Sequence, residues 1–416
     1  MNELNKTMCM NLCSVGFCLL LVACSSSDTA QDIVYDTQEH AFPNFSRHQF
    51  EVFSDDGAQT NAWGDYDGDG DLDLFVAFRD QPNRLYRNDL QAFVDVTDIS
   101  GIGDSRRTVG AAWFDADGDG DLDLFTANQN GDEDGFYLNL GNGSFEDVGA
   151  DLGINQPGRT ATQGSVGVAV GDYDNDGDLD LYVASYGPDL IWENQNDTLG
   201  FIKISSGEGF DGDHHSVAAT FADYDNDGWL DLYVGTFIST IAEEPDYLFK
   251  NVHGDFHIVT PSLLLEKGTS HGIAWADYDG DGDVDLAVAN NHAEGTHTLY
   301  RNELGPERAR KSLQLAILDN QGRWTRAGAT VTLSASTWNH SMEGQPSYVS
   351  SRVVDTGGGY SSQGATPVHF GIPSGIELVD LTIRWYENGM NIQTVSNLDH
   401  SLYADRIFEI RLHPTP

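Results

Sequence analysis

Residues 65–73 read DYDGDGDLD, and their pattern of Asp at positions 1, 3, 5 and 9 with Gly at position 6 returns four more times. The copies are DADGDGDLD from Asp115, DYDNDGDLD from Asp172, DYDNDGWLD from Asp223 and DYDGDGDVD from Asp277. Carboxylates this close repel one another, so a compact loop requires a cation or extensive hydration. Calcium takes six to eight oxygens in a flexible geometry, and alternating aspartates around a Gly-enabled turn supply them. The expected metal positions are Asp65, Asp67, Asp69, Asp71 and Asp73; Asp115, Asp117, Asp119, Asp121 and Asp123; and Asp172, Asp174, Asp176, Asp178 and Asp180. They continue with Asp223, Asp225, Asp227, Trp229 and Asp231, then Asp277, Asp279, Asp281, Asp283 and Asp285. Position 7 of such loops usually contributes its backbone carbonyl, so Trp229 leaves the fourth site able to bind. An EF-hand would continue to a Glu at position 12 and then a helix. Here position 12 of the first loop is Val76, and LFVAF (74–78) reads as a strand. The loop is a calcium-type turn between two strands, and about five Ca2+ ions are expected.

The loops start 50, 57, 51 and 54 residues apart, a period that signals a propeller or a solenoid of short strands. After each loop comes an apolar-aromatic-x-Asn tetrad: LYRN (85–88), FYLN (136–139), IWEN (191–194), LFKN (248–251) and LYRN (299–302). A further strand follows in the first four units: AFVDVT (92–97), SFEDVG (144–149), GFIKIS (200–205) and DFHIVT (255–260). Each unit thus reads as a four-stranded blade. The fifth lacks its last strand, while HQFEVF (48–53) stands before the first loop with no unit to belong to. The expectation is an all-β fold, a five-bladed propeller over residues 42–304, closed by that N-terminal strand. Three residues before each loop stand small groups (Ala62, Ala112, Ala169, Thr220, Ala274) and two before mostly large ones (Trp63, Trp113, Val170, Phe221, Trp275), as innermost strands require.

The N-terminus reads as a targeting segment. Residues 14–23 (SVGFCLLLVA) are too short to span a bilayer, and Leu21-Val22-Ala23-Cys24 resembles the bacterial lipobox. In that reading residues 1–23 are a lipoprotein signal peptide, Cys24 carries the lipid, and residues 24–41 are a flexible tether; an ordinary cleaved secretory signal is the alternative. Ser25 favours the outer membrane, by analogy with the Gram-negative sorting rule. No cysteine follows Cys24, so the exported chain forms no disulfide and offers no catalytic thiol. Asp and Glu number 66 against 21 Lys and Arg, a formal charge of −45. Such a surface repels phosphate backbones and excludes nucleic acid as a partner, so membrane contact falls to the lipid.

The loops and their flanking strands resemble FG-GAP (VCBS) repeats, calcium-loop propeller repeats also seen in integrin α heads. The tail resembles the ASPIC/UnbV domain through GATVTL (328–333), SSRVVDTGGGYSSQ (350–363), HFGI (369–372) and LTIRW (381–385), with Tyr386 where the family usually has Pro. That resemblance implies no settled chemistry for the tail. From its own pattern, residues 312–416 alternate apolar and polar over short runs, which suits a separate small β-sandwich. GPERARK (305–311) reads as a solvated linker.

GTSHG (268–272) formally fits G-x-S-x-G, but a strand and an acidic loop follow where a nucleophile elbow needs a helix. No HExxH, phosphate loop, dinucleotide fingerprint or Cys/His zinc spacing occurs. Since every innermost strand ends at an acidic loop, the segments entering those strands share the opposite face. They carry Asn61, Arg106, Arg107, Gln163, His214, His215 and His271, joined by Tyr186, Asn290, Asn291 and His292 from other loops. These residues are expected to line a polar funnel for an anionic or glycan ligand, or else a solvated rim. Three functions fit: a calcium-stabilised binding or adhesion module with a glycan or protein ligand, a propeller-type polysaccharide lyase or hydrolase, and a structural envelope assembly protein.

Overall fold

The apolar runs on either side of each acidic loop form paired strands. The computed structural model describes residues 46–414 except 50, 91, 196–198, 205–209, 211, 213, 238–244, 266–269, 292–296, 325, 336–347, 356–361, 364–366 and 405. The first blade is β1 (Ala58–Gly64), β2 (Asp73–Phe78), β3 (Arg84–Asn88) and β4 (Phe93–Asp95), hydrogen-bonded in chain order. The second repeats it with β5 (Thr108–Phe114), β6 (Asp123–Asn128), β7 (Gly135–Asn139) and β8 (Phe145–Asp147). The third is β9 (Gly164–Gly171), β10 (Asp180–Tyr186), β11 (Leu190–Asn194) and β12 (Phe201–Ile204). The fourth is β13 (Ser216–Ala222), β14 (Asp231–Thr236), β15 (Tyr247–Val252) and β16 (Asp255–Ile258). The fifth has three strands of its own, β17 (Ser270–Ala276), β18 (Asp285–Asn290) and β19 (Thr298–Tyr300). The result is a propeller-like array in which first strands pack on one another in succession. They approach so closely that a Cβ on Gly110 would fall 2.2 Å from the Val166 carbonyl oxygen.

Two sets of hydrogen bonds staple each blade to the next. Beside the acidic loops, the tetrad asparagine sends its side-chain NH2 to the position-8 carbonyl of its own loop and the position-2 carbonyl of the preceding one. Asn139 thus reaches Leu122 and Tyr66, Asn194 reaches Leu179 and Ala116, Asn251 reaches Leu230 and Tyr173, and Asn302 reaches Val284 and Tyr224. At the other end of the blades, an Asn or Asp before the third strand pairs with a hydroxyl on the next blade's first strand. These pairs are Asn83–Thr108, Asp134–Ser165, Asp189–Ser216 and Asp246–Ser270, at 2.5–2.9 Å.

The expected closure by an N-terminal strand does not form. Residues 48–53 include no strand among those described, and the Gln49 side chain clasps the Phe93 backbone while Phe53 packs on Tyr86 and Phe93 of the first blade. The outer faces of the terminal blades stay open. Trp63 is 39% exposed where its counterpart Trp113 is 1% exposed, and in the fifth blade Tyr278 and Leu299 are 53% and 56% exposed. The sequence supplies the reason: Ala58 stands where the other first strands carry the stapling hydroxyl, and His297 where the other blades carry the stapling Asn or Asp.

Residues 312–411 form two sheets around their own apolar core, which includes Leu313, Ile317, Val331, Leu333, Phe370, Ile383 and Trp385. One sheet holds β20 (Ser312–Leu318), β24 (Val368–Gly371) and β27 (Phe408–Arg411); the other holds β21 (Thr330–Ala335), β22 (Tyr348–Val353), β25 (Leu378–Tyr386) and β26 (Met390–Asp399). A further short strand, β23 (Ser362–Gln363), leaves the sandwich and pairs in parallel with the free edge of β17. Residues 305–311 are largely exposed, as their charges suggest, with one residue turned inward. Ala309 is buried, and the carbonyls of Arg308 and Ala309 accept from the Asn226 side chain in the fourth loop. Gln49–Pro416 is one compact unit.

The asparagine staples yield a graded prediction. Asn251→Ala strips two buried carbonyls of their donor and should cost about 2–4 kcal/mol in urea unfolding. Asn88→Ala removes only the bond to Leu72 within its own blade and should cost about 1 kcal/mol.

Candidate metal centres

Backbone conformation explains the loop's spelling. Position 6 is left-handed in all five copies, with φ of 93° at Gly70, 97° at Gly120, 107° at Gly177, 94° at Gly228 and 101° at Gly282. Position 4 is left-handed too, which restricts it to Gly68, Gly118, Asn175, Asn226 and Gly280. The tight turn aims the position-6 N–H at the position-1 carboxylate, as from Gly70 to Asp65 at 3.0 Å and from Gly228 to Asp223 at 2.7 Å. Position 5 accepts from the position-7 N–H in every loop, at 2.9–3.4 Å. Position 9 is anchored by the tetrad asparagine's backbone N–H, at 2.8 or 2.9 Å in all five.

This scaffold converges three carboxylates per loop. Positions 1, 3 and 9 each offer an oxygen within 4.8 Å of the other two: Asp65, Asp67 and Asp73; Asp115, Asp117 and Asp123; Asp172, Asp174 and Asp180; Asp223, Asp225 and Asp231; Asp277, Asp279 and Asp285. Buried oxygens on Asp65, Asp67, Asp121, Asp231 and Asp283 receive no hydrogen bond. Converging carboxylates with undonated buried oxygens fit a hard divalent cation, which would supply the missing positive charge. The position-5 carboxylates lie outside these triads, as do the side chains at position 7, where the expected ligand is the backbone carbonyl. Position 5 instead shapes the turn.

The C-terminal sandwich reaches every loop. Tyr386 lies where a Gly68 Cβ would point, and Asn388 N–H donates to the Gly68 carbonyl at 2.7 Å; Arg326 stands 4.0 Å from Asp65. Met390 packs on Gly120 of the second loop. Ser351 donates its N–H to Asp172 at 2.7 Å and its hydroxyl to the Gly177 carbonyl at 2.8 Å. Tyr348 donates to the Gly228 carbonyl at 2.7 Å, and Gln314 donates to Asp277. Arg352, wholly buried, lies close enough to Asp172 and Asp223 to offset part of the rise in both their pKa values.

These contacts take the carboxylates out of water. Burial pushes Asp65 up to about 7, Asp73 to about 9 and Asp115 to about 6, and neighbouring carboxylates of the same loop add to the rise. Asp123, Asp172, Asp180 and Asp231 are also raised well above the usual carboxylate range by the same cause. The fourth loop differs, because the Lys250 ammonium lies 2.8 Å from Asp225, 2.8 Å from Asp227 and 3.2 Å from Asp231. Burial opposes that charge, but the carboxylates outweigh it and hold the Lys250 pKa above its usual value.

The repeats match the family described as FG-GAP-like repeat over residues 65–126, 115–183 and 172–234, and residues 322–405 match ASPIC and UnbV. The chain is an FG-GAP-repeat protein with an ASPIC and UnbV domain. It is homologous to cartilage acidic protein 1. The Mus musculus protein is 25% identical over 279 residues, covering 65% of this chain and 40% of that one. The Homo sapiens protein is also 25% identical over 279 residues, covering 65% and 39%. The chain thus spans about 40% of the length of the relatives it matches. Among solved structures, the exotype rhamnogalacturonan lyase YesX is 13% identical, covers 82% of this chain and 65% of that one, and has a TM-score of 0.36, too loose a likeness to carry an argument.

At the far end of the FG-GAP blades the residues expected to line a funnel divide. Arg106 is locked within the second blade by Asp104, Asp147 at 2.6 Å, the Tyr137 hydroxyl at 2.6 Å and the Asp134 carbonyl. Arg107 is paired with Asp132 at 3.2 Å, and Gln163 accepts from the Thr160 N–H. Asn61 alternates with Trp63 on the open face of the first blade, and Asn291 is exposed. His214 packs on Tyr247, its Nδ1 3.2 Å from the hydroxyl. His292 and Cys24 lie outside the described residues. His215, Tyr186, Phe237 and His271 do come together, as a chain of rings with centroids 5.1, 6.3 and 5.9 Å apart across the third, fourth and fifth blades. Burial lowers the His271 pKa. Ser270 of the G-x-S-x-G match is buried and donates its hydroxyl to Asp246, so it serves as a staple. Sequence reasoning missed Lys250, the interblade role of the asparagines, and the arginines of the ASPIC and UnbV domain. The tetrads carried the first two signals.

A pH dependence follows. Unfolded aspartates titrate near 3.8, whereas the buried loop carboxylates of the metal-free fold titrate at about 6 to 9. Between those limits the metal-free native state holds more protons than the unfolded one, so its stability is full below about 3.8 and falls as pH rises through about 6 to 9. Thermal melting in chelator should show Tm falling from pH 5 to pH 9, and added calcium should raise Tm more at pH 8 than at pH 5.

Proposed function

We propose that this chain is a calcium-binding module of the bacterial cell envelope, exported and lipid-anchored through Cys24 at the outer membrane, and that it binds a glycan or protein ligand. The observation that carries this reading is the set of five converging carboxylate triads, with buried oxygens of Asp65, Asp67 and Asp231 that receive no hydrogen bond. Positions 1, 3 and 9 of a loaded loop would hold the ion, which would supply charge neutralisation rather than chemistry on a substrate. The loops are contacted throughout by the ASPIC and UnbV domain, so the metal positions are structural and the ligand surface is assigned to the opposite end of the blades. The ring cluster of Tyr186, His215, Phe237 and His271 suits the apolar face of a sugar or an aromatic side chain. The formal charge of −45 speaks against nucleic acid, and the commitment of Ser270 to Asp246 speaks against hydrolysis by that serine.

Each ion bound only by the native state, at free calcium tenfold above its Kd, adds roughly 1.4 kcal/mol. Urea unfolding in millimolar calcium and in chelator should therefore differ by several kcal/mol; identical curves, with no metal found by elemental analysis, would sink the reading. For the ligand, a glycan array probed with calcium-loaded protein should give signals that Tyr186→Ala combined with His271→Ala abolishes. Retained signals in that folded double variant would move the ligand site elsewhere.

A further inference from the structure

The five acidic loops are alike in spelling but not in charge. Three departures set the fourth apart, and all lower its affinity for a divalent ion. Trp229 replaces the Asp that the other copies carry at position 7. Lys250, the residue before the tetrad asparagine, places its ammonium 2.8 Å from Asp225 and Asp227 and 3.2 Å from Asp231. Arg308 adds a second cation 3.3 Å from Asp225. The residues matching Lys250 elsewhere do not bridge positions 3, 5 and 9 of their loops. Arg87 turns to Asp89, Leu138 carries no charge, and Glu193 accepts from the Tyr173 hydroxyl. Arg301 meets Asp279 and Asp281 from a half-exposed position.

We propose that the fourth loop carries its own cation, with Lys250 in place of a divalent ion, so that the loaded protein holds four ions while the loop keeps its shape without any. The inference rests on the calcium reading of the other loops. An ammonium shared by Asp225, Asp227 and Asp231 uses oxygens from positions 3, 5 and 9, two of which belong to the converging set. An ammonium held by these carboxylates repels a divalent ion bound to the same residues and takes up oxygens from the six to eight that calcium requires. Expelling Lys250 is hindered by its place on β15, where the next residue, Asn251, is pinned to Asp231 by its backbone N–H at 2.8 Å. The Lys250 ammonium also lies 5.6 Å from the centre of the Tyr224 ring.

The location gives the substitution a purpose. The C-terminal domain and the fifth loop enclose the fourth loop closely. A Cβ on Gly371 would fall 2.0 Å from an Asp223 oxygen, one on Gly228 would meet Pro373 at 2.5 Å, and Asn226 is bonded to the carbonyls of Gly282 and Ala309. Little space is left for the waters that complete a calcium shell. A tethered ammonium needs none, so the contact between this loop and the domain persists when calcium is withdrawn.

Elemental analysis of calcium-loaded, desalted protein should give four ions per chain for the wild type and five for Lys250→Met. Terbium emission excited through tryptophan provides a second readout that leaves Lys250 in place. Wild type and Trp229→Phe should emit alike, because no ion sits beside Trp229, whereas Lys250→Met should gain emission that Trp229→Phe then removes. Five ions in the wild type, a wild-type terbium signal lost in Trp229→Phe, or no ion gained by a folded Lys250→Met would each overturn the proposal. No ion in any variant would instead sink the calcium reading beneath it.

Discussion

Repulsion among aspartates governs this fold. Positions 1, 3 and 9 of each loop bring carboxylates within 4.8 Å of one another, most of them buried, and burial pushes Asp65, Asp73 and Asp115 up to between about 6 and 9. A loop in that state must take protons, accept fixed cations or bind a metal. The chain uses fixed cations sparingly: Arg326 at the first loop, Arg352 between the third and fourth, Lys250 within the fourth. With 21 basic residues against 66 acidic ones, side chains alone cannot neutralise all five loops. Divalent ions at the converging triads would close that gap, at the end of the blades where the asparagine staples and the C-terminal domain meet.

The array solves a second problem, that of holding together a row of blades with open ends. Internal blades are joined by asparagine staples near the loops and by Asp–hydroxyl pairs at the far end. The terminal blades lack the residues for the far-end pair, and their faces remain exposed. The C-terminal sandwich compensates by touching every loop and by adding β23 to the inner edge of the fifth blade. Metal loops and tail are therefore energetically coupled, because the position-1 carboxylates of the third and fifth loops accept hydrogen bonds from the sandwich directly. Rigidity at this end leaves the far rim as the surface where residues can vary without disturbing the metal sites.

The acidic loops, the all-β class and the strand after each loop were legible in the chain, because each depends on spacing within about ten residues; that positions 1, 3 and 9 converge, out of the five expected, was not. Position 4 shows how much such spelling records: Gly or Asn appears there because the backbone is left-handed. The second residue type in the tetrads was equally visible, but its meaning was not. Asn139, Asn194, Asn251 and Asn302 reach carbonyls 73 to 78 residues away, and no local pattern encodes a partner at that distance. In the exposed basic segment 305–311 the inward turn of Ala309 was hidden for the same reason, since its carbonyl meets Asn226 of a loop 83 residues away.

What the sequence determined by itself was therefore local: which turns must be left-handed, where carboxylates crowd and which runs become strands, since these follow from steric limits and Coulomb repulsion between near neighbours. The tertiary structure alone decided that the described residues of 48–53 form no strand, that Arg106 is a strut inside a blade, that Lys250 enters the fourth loop and that the C-terminal domain covers the acidic loops. Each of those outcomes depends on which distant surfaces exclude water from one another, a quantity fixed only when the whole chain has packed.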